Sequence, residues 1–277
     1  MLDKLYIDNI IMNALKEDMP HGDITTDSII SASSVSEAVI IAKEEGIIAG
    51  LDVFERVFTL LDDKVEFKRY KQDGDKVLKG DIIIEMKGKT KVLLKGERTA
   101  LNILQRMSGI ATITNKFCKE IEDLPAKIVD TRKTTPSLRY LEKYAVRIGG
   151  GTNHRYCLSD GVLIKDNHIK AAGGIKNAVD MVRNKIPHTI KIEVETETLE
   201  QVQEALDAKA DIIMLDNMDN DKMKEAVKLI NKRALVEASG NVSINNVREI
   251  ALTGVDIISV GKLTHSVNAL DISMKIR

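Results

Sequence analysis

Six short apolar runs recur along the second half of the chain, and this repetition constrains the fold more than any other feature. The polar or glycine residues that follow successive runs, at positions 132, 165, 195, 216, 239 and 261, lie 21 to 33 residues apart, about the length of one strand, one helix and two short loops. Runs this apolar are expected in a parallel sheet that is covered on both faces. The pattern therefore predicts βα units, with strands at residues 127–130, 161–164, 189–194, 211–215, 234–238 and 255–260.

Helical patterns lie between these predicted strands, at residues 174–184, 198–208, 219–231 and 243–252. Asp219 and Ser243 stand where N-cap residues are expected. The fold class is therefore α/β, a TIM-like βα barrel. Because such barrels place their chemistry at the C-terminal ends of the strands, the residues that follow each run are candidates for the active site.

The N-terminal part lacks this rhythm and predicts an α+β domain. Strands are predicted at residues 36–42, 46–49, 65–70, 82–86 and 91–94, and a helix at residues 51–61. A helical pattern over residues 97–122, interrupted at Ser108 and Gly109, leads into the barrel. We predict an N-terminal domain of residues 1–109 and a barrel domain of residues 110–265, with the tail, 266–277, returning to the first domain.

Composition limits the classes of protein that fit. A chain of 277 residues, 43% hydrophobic and 30% charged, can bury one large core or two modest ones. No apolar run approaches the roughly 20 residues of a membrane span, and the first residues lack the features of a secretory signal, so we expect a cytoplasmic protein. Cys118 and Cys157 are too few for a disulfide framework. A formal net charge of -1 gives no support to a nucleic-acid partner.

The charge is uneven locally and favours a small polyanionic ligand. Between Asp130 and Lys170 there are eight Lys or Arg residues and four acidic ones. Arg132 and Lys133 follow the first barrel strand and offer a forked donor beside a point charge, although a solvated basic turn would look the same. A run of three glycines precedes His154 and Arg155, which indicates either a ligand loop or a flexible loop.

Three charged residues follow the next strands. Lys165 could be a Schiff-base nucleophile, a phosphate contact or a surface charge. Glu195 and Asp216 are suited to hold Mg²⁺ together with substrate phosphates, or alternatively to orient neighbouring cations. Glu193 shares a strand face with Glu195, and the sequence leaves open which of the two reaches the site.

Two glycine-containing loops, at residues 238–241 and 260–262, follow the last two strands. Phosphate sites are common at this place in βα barrels, and glycines allow backbone N–H groups to approach phosphate oxygens. A helix beginning at Ser243 would point the same way. His265 follows closely and is either a phosphate contact or a structural residue.

Several motifs in order resemble those of the quinolinate phosphoribosyltransferase family, over nearly the whole chain. They are KEDMPHGDITTD at 16–27, ERTALN at 97–102, DTRKTTP at 130–136, GGGTNHRYCLSD at 149–160, LIKDNH at 163–168, IEVE at 192–195, LDN at 215–217, EASG at 237–240 and SVGKLTHS at 259–266. Asn241 departs from the family pattern, which often has a further glycine there.

The resemblance implies an N-terminal open-faced α/β sandwich and an incomplete barrel with fewer than eight strands. It further implies an enzyme of NAD biosynthesis that uses Mg²⁺ and phosphoribosyl pyrophosphate to convert quinolinate into nicotinate mononucleotide, pyrophosphate and CO₂. Such an enzyme would be a homodimer or a higher homo-oligomer.

The resemblance also assigns roles by motif match. Quinolinate carboxylates would be held by Arg132, His154, Arg155 and Lys165, with Arg98 reaching in from the partner subunit. Lys133 would serve the phosphorylated substrate, and Glu195 and Asp216 its ribose and the metal. The 5′-phosphate would be bound by Ser239, Gly240, Gly261 and His265. Lys133, Lys165, Glu195 and Asp216 are the candidates for direct participation in the chemistry.

Three other interpretations stay open at this point. A paralogue of the same fold could use a different acceptor. A Schiff-base lyase would also place a lysine, here Lys165, at the end of a barrel strand. A carrier module is weakly indicated by residues 80–88, where Met86 and Lys87 lie in a segment similar to a biotinylated hairpin.

Overall fold

The computed structural model describes residues 2–277. In the first half of the chain the elements are α1 (Lys4–Asp18), α2 (Ile24–Ile29), β1 (Val35–Ala42), β2 (Gly46–Ile47), α3 (Leu51–Leu61), β3 (Glu66–Arg69), β4 (Lys76–Val77), β5 (Ile82–Lys89), α4 (Thr90–Glu120) and β6 (Lys127–Val129). The remaining elements are α5 (Arg139–Ile148), β7 (Val162–Ile164), α6 (Asp166–Ala172), α7 (Ile175–Arg183), β8 (Ile192–Thr196), α8 (Leu199–Asp207), β9 (Ile212–Asp216), α9 (Asn220–Ile230), β10 (Leu235–Ser239), α10 (Val247–Ala251), β11 (Ile257–Ser259), α11 (Lys262–His265) and β12 (Ile272–Ile276).

The chain divides into two compact units. The first comprises the segments Met1–Asn115, Thr134–Gly150 and Leu263–Arg277, and the second comprises Lys116–Lys133 and Gly151–Lys262. Within residues 2–277, no helix combines the length and the apolar character that a membrane span needs.

The first unit contains an antiparallel sheet with the strand order β12-β1-β5-β3. Alternate residues of β1, including Ala38, Ile40 and Ala42, are fully buried. On the other face Glu37 and Lys87 form an ion pair in which both side chains are more than half exposed. Because one face is packed and the other is charged, the sheet is open-faced. The tail of the chain supplies the edge strand β12.

Helix α4 corrects two predictions. Residues 91–94 were expected to be a strand, but they form the first turns of this helix. Their burial follows a helical spacing, since Leu93 and Gly96 are buried on the same side, and Lys91 pairs with the Asp27 carboxylate. The expected interruption at Ser108 and Gly109 is also absent. Gly109 is required there because a side chain would overlap the carbonyl of Asn268, so the glycine serves close packing and does not break the helix.

The second unit contains six parallel strands in the order β6-β11-β10-β9-β8-β7. This order follows the chain in a cycle, and β6 and β7 form the two edges, so the strands make an incomplete βα barrel that is open between these edges. Thr152 adds a parallel bridge to Val129 at the β6 edge. The predicted α/β fold class is confirmed.

The helix after β10 begins later than predicted. Asp219 caps α9 as expected, because its side chain accepts the Lys222 N–H. Ser243 does not cap α10. Its N–H and hydroxyl both donate to Asn246 Oδ1, which forms a tight turn, and the five-residue helix begins at Val247. A helix N-terminus starting at Ser243 is therefore wrong.

Candidate active site

The strand register places the acidic and hydroxyl residues of the parallel sheet on one face. Glu195 lies opposite Met214, which in turn lies opposite Glu237, and Asp216 lies opposite Ser239. Paired residues of neighbouring parallel strands share a face, as do residues two apart along a strand. This face therefore carries Glu193, Glu195, Asp216, Glu237 and Ser239.

Lys165 joins the same face. It follows Leu163 by two residues, and Leu163 is paired with Glu193. Its ammonium lies 2.7 Å from Glu195 Oε2. The Glu195 side chain is 12% exposed, whereas that of Glu193 is 4% exposed. Of the two glutamates, Glu195 thus lies nearer the C-terminal rim and contacts Lys165, and Glu193 lies deeper.

The loop that follows β6 is held by a buried aspartate. Asp130 is fully buried, and its carboxylate accepts the Asn153 side-chain amide at 2.6 Å and the His154 N–H at 2.9 Å. These contacts fix the glycine-rich loop against the start of the basic motif. Sequence reasoning gave Asp130 no role of its own, although its place at the end of an apolar run was a signal.

Arg155 extends from this loop beside another guanidinium. Its Nη1 donates to the Gly161 carbonyl at 2.7 Å. Burial, together with the positive charge of Arg132, lowers the pKa of Arg155 from its usual value. Arg155 is partly buried and Arg132 is exposed, and forked guanidiniums of this kind are suited to bind carboxylates.

His154 lies between two buried glutamates. Its Nε2 is 3.0 Å from Glu193 Oε2 and 3.5 Å from Glu237 Oε2, and its Nδ1 accepts the Arg155 N–H at 2.8 Å. Burial and the charge of Glu193 raise the pKa of Glu237 to about 7. Sequence reasoning missed Glu237 and did not distinguish the role of Glu193, because both depend on the face that each strand turns inward.

The loops after β9 and β10 interlock through asparagines. Asn241 donates from its side-chain amide to Asn217 Oδ1 at 3.1 Å, and Asn217 N–H donates to the Ser239 carbonyl at 2.9 Å. Asn241 has a φ of 52°, a left-handed conformation that asparagine tolerates better than most residues. This conformation is suited to asparagine as well as to glycine.

Gly240 is the position in these loops that tolerates a side chain least. Its φ is 93°, and a Cβ there would overlap Asn217 Oδ1 and lie 3.0 Å from Asn217 N. The resemblance assigns Gly240 to the 5′-phosphate, so we expect Gly240→Ala to raise the KM for the phosphorylated substrate about tenfold or more, because displacement of Asn217 and the left-handed strain together cost roughly 1–2 kcal/mol or more.

Gly80→Ala is the matched control for Gly240→Ala. Gly80 has a φ of 98°, but a Cβ there would meet nothing within 4 Å. This variant carries the strain without the steric overlap, so its steady-state kinetics should match those of the unsubstituted protein. Equal KM values for the phosphorylated substrate in both variants would contradict the role given to the loop.

The remaining predicted residues divide between the two units. Lys133 is exposed, and its N–H donates to Thr131 Oγ1. Gly261 lies two residues after β11 in the second unit. Arg98 and His265 belong to the first unit, where both are exposed; His265 Nδ1 lies 2.7 Å from the Ser266 hydroxyl.

The donor set at the strand ends is compatible with a hard divalent cation. Glu195 and Asp216 lie on neighbouring strands and share a face, and both side chains are partly accessible. Carboxylates of this kind, together with substrate phosphates and water, are typical ligands of Mg²⁺. The tight group of His154, Glu193 and Glu237 is a separate cluster, deeper in the unit.

Comparison with known proteins identifies relatives over the whole chain. Residues 23–108 match the family model of the quinolinate phosphoribosyl transferase N-terminal domain, and residues 110–275 match that of its C-terminal domain. The chain is 46% identical to a probable nicotinate-nucleotide pyrophosphorylase [carboxylating] of Bacillus subtilis, over 99% of this chain and 95% of the relative. It is also 46% identical to a protein of the same name from Synechocystis, over 98% and 93%.

Solved structures agree with these relatives. The crystal structure of NadC from Streptococcus pyogenes superposes with a TM-score of 0.97 at 43% identity, and covers 100% of this chain and 98% of its own. A nicotinate-nucleotide pyrophosphorylase from Francisella tularensis gives a TM-score of 0.95 at 39% identity, again over 100% and 98%.

Proposed function

Because the chain belongs to the quinolinate phosphoribosyl transferase family, we propose that it transfers the phosphoribosyl group of phosphoribosyl pyrophosphate to quinolinate, with decarboxylation. The products are nicotinate mononucleotide, pyrophosphate and CO₂, and the protein is a pentosyltransferase of NAD biosynthesis. The observation that carries the proposal is the match of both family domains, over residues 23–108 and 110–275; the second unit adds the partly buried Arg155 and the Lys165–Glu195 ion pair. This arrangement suits a dicarboxylate next to a sugar phosphate.

The acceptor is bound through its two carboxylates. Arg132 and Arg155 supply forked donors, and Lys165 supplies a point charge. By motif resemblance, His154 also belongs to this group. Because the pyridine nitrogen of quinolinate carries a lone pair when neutral, its attack on the ribose needs no general base.

The phosphorylated substrate is bound at the ends of β8 to β11. Ser239, Gly240 and Gly261 hold the 5′-phosphate, and Lys133 contacts the pyrophosphate. For His265, the role of phosphate contact rests on the motif resemblance alone. Glu195 and Asp216 face the ribose, where their negative charge stabilises the oxocarbenium-like centre that forms as pyrophosphate leaves. Holding two anions in register and excluding water are the main tasks of these residues.

Glu195 and Asp216 are also the residues that would hold Mg²⁺. When bound, the ion neutralises charge that develops on the departing pyrophosphate. The acceptor itself supplies the stabilisation that decarboxylation needs. Once the ring nitrogen is ribosylated, its positive charge stabilises the electron pair left at C2 when the 2-carboxylate departs as CO₂. A proton from water then adds to C2 and completes nicotinate mononucleotide.

The contacts of Lys165 and Lys87 count against the two alternatives from other classes. A Schiff-base lysine works best desolvated, whereas the Lys165 side chain is 48% exposed and paired with Glu195. Lys87 lies inside β5, between β1 and β3, and not at a hairpin turn, which disfavours a carrier segment.

An acceptor comparison tests the proposed function against a paralogue with another substrate. Purified protein is incubated with phosphoribosyl pyrophosphate, Mg²⁺ and either quinolinate or nicotinate, and nicotinate mononucleotide is measured by chromatography. The proposal expects turnover with quinolinate and little or none with nicotinate, which lacks the 2-carboxylate. Turnover with neither acceptor, in folded protein, would favour the paralogue.

The active assembly is a homodimer or a larger homo-oligomer in which Arg98 of one subunit serves the site of its partner. Arg98→Ala and Lys165→Ala should each be nearly inactive alone. In a purified heterodimer of one Arg98→Ala and one Lys165→Ala subunit, one site keeps both residues and the other has neither. We therefore expect about half the wild-type activity per dimer.

Two differently tagged subunits, co-expressed and purified through both tags, provide the heterodimer for this measurement. The two homodimeric variants are the controls. Activity of the heterodimer no greater than that of the controls would mean that Arg98 acts within its own subunit, or not at all.

The proposal also covers the domain boundaries of the protein and its location in the cell. The boundary between the two family matches, at residues 108 and 110, supports an N-terminal domain of residues 1–109 and a barrel domain of residues 110–265, and the pairing of β12 with β1 supports the return of residues 266–277 to the first domain. The location is cytoplasmic, supported by the unpaired thiols of Cys118 and Cys157, which accord with a reducing compartment.

A further inference from the structure

The cluster of His154, Glu193 and Glu237 contains more carboxylate than the proposed chemistry uses. Glu193 is 3% exposed and Glu237 is 1% exposed. Each has one carboxylate oxygen, Oε1, that is buried without a hydrogen-bond partner. Burial of an unsatisfied carboxylate oxygen destabilises a fold. A purely structural role would be served better by an apolar side chain, so these glutamates call for a functional explanation.

The hydrogen bonds of His154 define its tautomer. Nδ1 accepts the Arg155 N–H at 2.8 Å, so Nδ1 carries no proton. The ring proton is then on Nε2, which donates to Glu193 Oε2 at 3.0 Å. Both ring nitrogens are thus engaged with the protein. A direct donation from His154 to a quinolinate carboxylate would require one of these two hydrogen bonds to break.

The Nε2–H tautomer of His154 determines how Arg155 is held. The Arg155 backbone is held by His154 Nδ1, and its guanidinium is held by the Gly161 carbonyl at 2.7 Å. With its backbone and its guanidinium both fixed, the arginine is pre-organised beside Arg132, and little entropy is lost when a carboxylate binds. Hydrogen-bond partners one step removed from a ligand commonly set ring orientation in this way.

We propose that Glu193 is a positioning residue for the acceptor: it holds the His154 ring in the Nε2–H form, and the ring in turn fixes Arg155. Glu237 closes the other side of the ring, 3.5 Å from Nε2. This inference rests on the proposed function, since it takes Arg155 as a ligand of quinolinate. It differs from the family assignment by giving His154 an indirect role.

Variants at Glu193 test the inference through separate KM values for the two substrates. Glu193→Ala removes the acceptor of the Nε2–H group, so the KM for quinolinate should rise about tenfold or more, while the KM for phosphoribosyl pyrophosphate stays unchanged. Glu193→Gln keeps an amide oxygen in the same place and should restore the KM to within about threefold of wild type. Glu197→Ala, an exposed glutamate just after the same strand, is the matched control and should behave as wild type.

The tautomer of His154 provides a second, independent measurement. A purely structural role of Glu193 would leave this tautomer unchanged. In ¹⁵N-histidine-labelled protein, the His154 signals are assigned by their loss in His154→Asn, and the ¹⁵N shifts report which nitrogen carries the proton. The inference expects the Nε2–H form in wild type and in Glu193→Gln, and loss of that single form in Glu193→Ala.

Three outcomes would overturn the inference. They are an unchanged quinolinate KM in folded Glu193→Ala, an equal rise in both KM values, or a Glu193→Gln variant as impaired as the alanine variant. Failure of the proposed function is distinguishable, because wild-type protein would then show no turnover with quinolinate at all.

Discussion

Replacing Arg155 by alanine is expected to lower kcat/KM for quinolinate about a thousandfold, at an unchanged fold. Loss of a partly desolvated guanidinium that binds a carboxylate typically costs about 2 to 5 kcal/mol, and tenfold in rate corresponds to about 1.4 kcal/mol. Arg155 lies on a loop, and its guanidinium contacts the Gly161 carbonyl, so its removal leaves the sheet intact. Steady-state kinetics with each substrate varied in turn measure the effect.

Two further variants define what Arg155 contributes. Arg155→Lys keeps the charge but loses the planar fork, so its activity should fall between those of wild type and alanine. Arg183→Ala is the control, because Arg183 is an exposed arginine of the same unit that donates to the Lys209 carbonyl. Near-normal turnover of folded Arg155→Ala would remove Arg155 from the acceptor site.

Replacing Glu142 by alanine is expected to lower the free energy of unfolding by about 2 to 4 kcal/mol, because it breaks an ion pair in which the carboxylate is buried and the Arg106 side chain is 31% exposed. Glu142 on α5 is fully buried and accepts Arg106 Nε at 2.7 Å and the Thr135 N–H at 3.1 Å. Arg106 also donates to the Thr264 carbonyl at 2.9 Å. Without Glu142 the guanidinium loses its counter-charge, and Thr135 N–H loses its acceptor.

Denaturant unfolding measures this loss. Glu37→Ala breaks the exposed pair with Lys87 and should change the free energy by less than about 1 kcal/mol. Should Glu142→Ala fail to fold, the double variant Arg106→Met/Glu142→Leu provides a second measurement, since replacing both partners by apolar residues recovers much of the loss. A Glu142→Ala protein as stable as Glu37→Ala would contradict the importance of this network.

The parts of the fold that could be predicted from the sequence are those with a clear local pattern of apolar residues. The six parallel strands and α3 lie where the apolar patterns placed them, because each pattern reflects the face that the element buries. The prediction at residues 91–94 failed because a short apolar run fits a strand or a helix equally well. Gly109 was misleading for a different reason, since its close approach to Asn268 is a tertiary contact without a local signal.

The candidate site likewise contains residues that the sequence predicted and residues that it did not. Residues at or just after the C-terminal end of a strand, such as Glu195 and Lys165, were found because a barrel collects strand ends at one rim. The family assignment is confirmed, since several motifs in a fixed order specify more than any single motif. Glu237 and Glu142 were not found because their importance comes from partners that register and helix packing bring together.

The most direct test of the proposed function follows the 2-carboxylate of quinolinate, which is expected to leave as CO₂. Purified protein is given quinolinate labelled with ¹³C in the 2-carboxylate, together with phosphoribosyl pyrophosphate and Mg²⁺, and labelled CO₂ and nicotinate mononucleotide are measured over time. We expect labelled CO₂ and nicotinate mononucleotide to form in equal amounts, and neither to form without phosphoribosyl pyrophosphate. We also expect a label in the 3-carboxylate to stay in the nucleotide. Folded protein that forms no nicotinate mononucleotide, or releases labelled CO₂ without it, would contradict the proposed function.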